Sequence, residues 1–255
     1  MTRAVSGRLA IVGLGPGAAG MRTPQADAVL AEATDFIGYG PYLDRVGARA
    51  DQVKHASDNR EELDRARHAL RLAAEGRRVA VVSSGDAGVF AMASAVFEAI
   101  EQGEPAWRGL DVEVVPGISA MMAVAARVGA PLGADFCAIS LSDNLKPWAV
   151  VVRRLRAVAE AGFVIALYNP ISAARPWQLG AAFELLREVL AAETPVIFAT
   201  AVSRPEERID VTTLGAADPA RADMRTLVMI GSAATRVIER EGAAPLVYSL
   251  RRVAA

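Results

Sequence analysis

The chain has one cysteine, Cys137, so an intramolecular disulfide is impossible, and so is an all-cysteine iron–sulfur site within the chain. That points to a reducing compartment, the cytoplasm. Histidine is almost as scarce. His55 and His68 are the only two, and no further cysteine or histidine completes a soft-metal site around them. No metal is therefore expected, and both read as surface residues beside or on a helix. Lys54 and Lys146 are the only lysines, so the positive charge is nearly all arginine, which suits bidentate capture of carboxylates. The formal net charge of −1 lacks the excess a nucleic-acid binder needs to neutralise phosphates. No run of 18 uncharged apolar residues occurs, so no membrane-spanning helix is expected. The N-terminal stretch lacks the long apolar segment and small-residue cleavage site of a signal peptide.

What is plentiful is apolar side chain: 53% of 255 residues, with a mean hydropathy of +0.26. Such a chain folds, either as one large domain or as two small ones. Short apolar runs at 9–14, 35–38, 79–83 and 112–115 read as buried strands. Helical patterns lie between them. One opens at Thr23-Pro24, with Thr as N-cap and Pro at N1. A second opens at an Asp58/Glu61 capping box and stops at Gly76. A third spans 89–102, with Phe90, Val96, Phe97 and Ile100 as its apolar set. The second half repeats the alternation, with helices over 119–128, 147–161 and 176–190. Its strands fall at 136–141, 163–168, 195–200, 208–213 and 226–230. The pattern predicts an α/β protein of two domains, 1–117 and 118–255, with a ligand site in the cleft between them.

Glycine-rich corners follow several of these strands, and in open α/β sheets ligands gather at that end. Gly13-Leu14-Gly15-Pro16-Gly17-Ala18 formally matches the dinucleotide fingerprint. Pro16, however, removes an amide from the turn, and the first helix signal arrives only at Thr23. An NAD(P)-dependent oxidoreductase stays open as an alternative on this motif. A Walker loop is excluded, because neither lysine follows the required glycine run. Ser83-Ser84-Gly85-Asp86-Ala87-Gly88 and Pro116-Gly117-Ile118-Ser119-Ala120 each join a strand to a helix; taken singly, each reads as a capped helix start. Neither histidine lies near a strand-end turn, so no nucleophile triad is assembled.

In this order the pieces resemble the tetrapyrrole methylases. The family opens with Gly-x-Gly-Pro-Gly (13–17), continues with a Gly-Asp corner (85–86) and Pro-Gly-Ile-Ser-Ala (116–120), and later has Tyr168-Asn169-Pro170 and a closing strand ending in Gly231. Further segments resemble one branch of it. These are Phe136 to Asp143 followed by Pro147-Trp148, Arg175-Pro176-Trp177-Gln178-Leu179, and Ser203-Arg204-Pro205-Glu206-Glu207-Arg208. Ala87 in place of the wider family's proline fits that branch. The resemblance implies two α/β domains, a homodimer, S-adenosyl-L-methionine as cofactor and a small tetrapyrrole as substrate. The branch methylates C17 of the corrin precursor precorrin-3B and contracts its ring to precorrin-4. Another precorrin position, uroporphyrinogen III, RNA or a protein residue remains as an alternative target, and so does a noncatalytic tetrapyrrole binder. Carried over by position, the cofactor contacts are Pro16, Gly85, Asp86, Ala87, Phe90, Ser119, Ala120, Asn169, Val202 and Thr226. The resemblance also makes Asp86, Asp143 and Tyr168 candidates for proton transfer. Arg175, Lys146 and Trp148 are candidates for holding the carboxylate-rich substrate; a turn cap is the equal alternative for Asp143, and a core position for Trp148.

Overall fold

A computed structural model describes residues 7–58, 61–172 and 174–252. The chain divides into two compact units, Met1–Ala120 and Met121–Ala255. The first is built on a five-stranded parallel sheet of β1 (Arg8–Gly13), β2 (Asp35–Tyr39), β3 (Val53–Ser57), β4 (Arg78–Ser83) and β5 (Asp111–Val115). Its strand order is β3-β2-β4-β1-β5. The helices are α1 (Pro24–Glu32), the single turn α2 (Gly40–Leu43), α3 (Glu62–Ala74) and α4 (Met92–Gln102). Successive side chains of a strand point to opposite faces. Leu9, Ile11, Val79 and Val81 therefore pack with α3 and α4, while Ala10, Val12, Ala80 and Val82 pack with α1. With both faces covered, the central strands show unbroken apolar runs.

The Thr23 hydroxyl accepts from the Ala26 amide at the start of α1, as expected of an N-cap. Helix α3 opens at Glu62 rather than at the Asp58/Glu61 box. Glu61 is itself the residue preceding α3, and no side chain caps that end. Gly76 does end the helix, with φ +90°. The two histidines are not loose surface groups. His55 Nε2 lies 2.9 Å from Asp35 Oδ1, and His68 Nε2 lies 3.2 Å from His55 Nδ1.

The second unit carries α5 (Ala120–Val128), β6 (Gly129–Ala130), β7 (Phe136–Ser140), α6 (Trp148–Glu160), β8 (Val164–Tyr168) and α7 (Gln178–Arg187). They are followed by β9 (Pro195–Thr200), β10 (Arg208–Thr213), β11 (Thr226–Ile230), β12 (Thr235–Arg240) and β13 (Ala243–Ser249). Its main sheet runs β10-β9-β11-β8-β7. Only the β7–β8 pair is parallel; the other pairs are antiparallel. Ile139, Leu155, Leu167, Phe183, Phe198 and Val228 form the centre of its core, closed by α6 and α7. The hairpin of β12 and β13 forms a separate small sheet with β6, and the sequence pattern had not announced it. Among the described residues no helix is long and apolar enough to cross a membrane.

Candidate active site

In the first unit three strand-end corners converge. β1 and β4 are neighbours, so the turns that follow them meet. Gly15 and Gly85 exchange hydrogen bonds in both directions, at 3.0 and 2.9 Å, and both are left-handed, with φ +67° and +68°. The corner after β5 packs against both turns through bare backbone. A Cβ on Gly13 would stand 2.7 Å from the Gly85 oxygen and 2.8 Å from the Gly117 nitrogen. Asp86 ties the arrangement: Oδ1 accepts from the Gly88 amide at 2.8 Å and Oδ2 from the Gly117 amide at 2.9 Å. It caps no helix, because α4 begins only at Met92. Phe90 likewise lies outside that helix, half exposed, with φ +50°. Pro16, Ala87 and Ser119 are buried at these corners, and Ala120 is partly so.

In the second unit β8 ends at Tyr168, whose hydroxyl accepts from the Met121 amide at 3.0 Å. Asn169 follows with φ +51° and donates to the Ser140 hydroxyl at 3.0 Å. Past the end of β9, Val202 is flanked by Ala201 (φ +51°) and Ser203 (φ +63°). Among the described residues, the non-glycine positive-φ positions are Phe90, shortly before α4, and Asn169, Ala201 and Ser203, just beyond strand ends. Each costs about 1–2 kcal/mol, and strain of this kind clusters where a ligand is gripped. The Thr226 hydroxyl meets the Thr200 hydroxyl at 2.8 Å and the Asp223 amide at 2.9 Å, so protein partners already occupy it.

Also within the second unit, the residues singled out for substrate come together. Arg175 Nη1 reaches Asp143 Oδ1 at 3.3 Å and the Ser142 hydroxyl at 3.2 Å, and Lys146 Nζ reaches the Ser142 carbonyl at 3.1 Å. Gln178, almost fully buried, donates to Asp143 Oδ1 at 3.3 Å. Trp148 meets Trp177 edge to face at 4.9 Å. Burial and the nearby Arg154 lower the Lys146 ammonium below its ordinary value, against the pull of Asp143. Burial pushes the Cys137 thiol up to about 11, so it supplies no thiolate nucleophile at neutral pH. Among the described residues no cluster of three or more His, Cys, Asp or Glu could hold a metal. The first unit offers a main-chain cradle, and the second offers two neighbouring cations and a carboxylate: equipment for alignment and proton handling rather than nucleophilic attack.

The sequence model of the tetrapyrrole (corrin/porphyrin) methylases matches residues 8–218, most of the chain and every strand-end corner described above. The chain belongs to that family. A tetrapyrrole methylase of Sinorhizobium sp., named precorrin-3B C(17)-methyltransferase, is 62% identical over 97% of either chain. The crystal structure of the methyltransferase CobJ matches with a TM-score of 0.91 and 52% identity, covering 96% of this chain and 100% of that one. A uroporphyrin-III C-methyltransferase from Thermus thermophilus, solved in complex with S-adenosyl homocysteine, matches with a TM-score of 0.68 and 26% identity, covering 88% and 97%.

Sequence reasoning missed Arg45, whose guanidinium lies against the first two glycine corners. No signal marked it, because it follows a one-turn helix that the sequence pattern does not reveal.

Proposed function

We propose that the chain is an S-adenosylmethionine-dependent C-methyltransferase of cobalamin biosynthesis that methylates C17 of precorrin-3B and contracts the ring to precorrin-4. The observation that carries this reading is the 62% identity to the Sinorhizobium enzyme over nearly the full length of both chains. The strand-end corners fit a cofactor held by main chain. Glycines keep side chains out of them, and the polar side chains of Asp86 and Thr226 already have protein partners. When bound, the cofactor supplies a methyl group already activated on a sulfonium. The residues that would hold it are Pro16, Gly85, Asp86, Ala87, Phe90, Ser119, Ala120, Asn169, Val202 and Thr226.

The rest of the chemistry is positioning, which can supply roughly 7–11 kcal/mol. Arg175 and Lys146 clamp substrate carboxylates, and Trp148 with Trp177 offers an apolar wall. Ring contraction needs the proton of the C20 hydroxyl removed before that carbon leaves the ring as an acetyl group on C1. Asp143 takes this proton, with Tyr168 as the other candidate; Asp86, tied by both oxygens to backbone amides, holds the corner. The chain works in the cytoplasm as a homodimer, and sedimentation as a monomer at micromolar concentration would remove the dimer.

The test is incubation with S-adenosylmethionine and precorrin-3B, followed by mass analysis and NMR of the acetyl methyl. One added methyl and a new acetyl signal are expected, and Asp143→Asn is expected to stop after the methyl. No methyl gain on precorrin-3B overturns the reading. In parallel, S-adenosylhomocysteine at about 100 times its dissociation constant is expected to stabilise the fold by roughly 2.7 kcal/mol. Stabilisation by NAD(P)H in its place would return the oxidoreductase.

A further inference from the structure

Arg45 lies just beyond α2, far in sequence from any glycine motif, and yet it joins two of them. Its Nη2 donates to the carbonyls of Leu14 and Gly15, each at 2.8 Å, and its Nη1 to the Ser84 hydroxyl at 3.0 Å. The first two acceptors belong to the turn after β1, the third to the corner after β4. These are the same two turns that Gly15 and Gly85 pair. Gly15 has turned into the left-handed region, and Leu14 and Gly15 are both buried. The Leu14 carbonyl needs a donor that water is poorly placed to give, and the Gly15 carbonyl, which already accepts from the Gly85 amide, takes the guanidinium as a second donor. A planar guanidinium can serve several acceptors from one fixed fork, which a lysine ammonium on a flexible stem matches poorly.

We propose that Arg45 is a positioning residue for cofactor binding. It holds the Leu14–Gly15 turn and the Ser84–Gly85 corner at one fixed spacing, so that main-chain atoms at Pro16 and Gly85 to Ala87 present a preformed grip. The inference rests on the reading of these corners as the S-adenosylmethionine site. Asp86 makes the matching tie from the Gly-Asp corner to Gly117, so the three corners are held from two sides by two oppositely charged side chains. Arg45 joins the two corners through backbone carbonyls and a serine hydroxyl, which is a positioning role. Its removal therefore affects how tightly the cofactor is held more than the rate once it is held.

The experiment measures S-adenosylhomocysteine binding by calorimetry on the full chain as wild type, Arg45→Ala and Arg45→Lys. Melting temperature is recorded for each, and kcat and KM are obtained at varied S-adenosylmethionine. Loss of hydrogen bonds from a charged donor predicts a binding constant weaker by about 10–100-fold in Arg45→Ala. At saturating cofactor kcat is expected to stay within about threefold of wild type. Guanidinium ion at millimolar concentration is expected to restore binding to the alanine variant and to leave wild type unchanged. Arg45→Lys should fall between the two and stands in if the alanine variant does not fold.

Wild-type binding strength in both variants overturns the inference. So does a loss that guanidinium does not restore and that follows the melting temperature alone, which is what a purely structural role gives. A wild-type chain that binds no S-adenosylhomocysteine overturns the cofactor reading itself, and this inference with it.

Discussion

At Gly117 a Cβ would run into the Gly85 carbonyl oxygen and stand 2.9 Å from the carbonyl carbon and oxygen of Gly13. At Gly85 the nearest atom to a Cβ would be the Ser119 Cα, at an ordinary 3.7 Å; what that position demands is its φ of +68°. The two glycines are thus required for different reasons, one by space and one by backbone conformation. Gly85→Ala should cost about 1–2 kcal/mol, the usual price of a left-handed alanine. Gly117→Ala has to push two backbone segments apart and should cost more, with S-adenosylhomocysteine affinity falling as well. Urea unfolding of the two variants decides it; an equal or smaller loss at Gly117 would mean that the corners are not packed as described. All three glycines could be picked out from the sequence as turn residues. Their mutual contact could not, because it joins positions about seventy and a hundred residues from Gly13 in the chain. Arg45 was hidden for the same reason, since only the folded chain brings it to the corners.

Helix α4 illustrates what periodicity reads well and where it slips. The apolar run after the Gly-Asp corner predicted a helix from residue 89, and the helix exists, but the left-handed Phe90 delays its start to Met92. Its buried side is Met92, Ala93, Val96 and Ala99, while Phe97 is half exposed. Of the apolar set Phe90, Val96, Phe97 and Ile100, only Val96 is fully on that side, which Met92 and the small Ala93 and Ala99 complete against α3. Val96→Ala should therefore cost about 2 kcal/mol, toward the low end for core truncation. Phe97→Ser should cost about 1 kcal/mol, clearly less than Val96→Ala, because half of the ring already faces solvent. Denaturant midpoints at unchanged slope are the measurement, and a Phe97→Ser loss matching that of Val96→Ala would reverse this assignment of faces. The strands missed from the sequence are β3, β6, β12 and β13: β3 and β12 are edge strands with polar, exposed positions, β6 is two residues long, and β13, though central in its small sheet, is exposed over its first two residues. The buried runs of β1, β4, β8, β9 and β11 were legible because burial on both faces or against the core leaves little room for polar residues.

Across the whole molecule, both histidines fall in the first unit, and this makes the two units respond differently to acid. Asp35 is fully buried. Burial alone would raise its carboxyl, but hydrogen bonds from Thr34, Arg77 and His55 outweigh that and hold it below its ordinary 3.8. His68 is pushed below its ordinary 6.5 by burial, then by the charges of His55 and Arg71, against the pull of Asp35 and Glu75. Both folded values are depressed, so each group contributes stability that is present above its unfolded value and lost as pH falls through the folded one. For His68 the loss begins below pH 6.5; for Asp35 it begins only below 3.8. The second unit has no histidine, and its Asp223 is also held below 3.8, where hydrogen bonds from Arg225 and Thr226 outweigh burial. Between about pH 6.5 and 4, then, only the first unit should loosen. Hydrogen exchange followed by mass spectrometry from pH 7 to 4.5, corrected for the intrinsic pH dependence, should reveal it. Protection is expected to fall in peptides from α3 and β2 while peptides from β8, β9 and β11 hold theirs. In His68→Gln the fall should vanish from this window, because the glutamine takes up no proton. Equal loss of protection in both units, or a fall that persists in His68→Gln, would assign the acid response to groups other than His68.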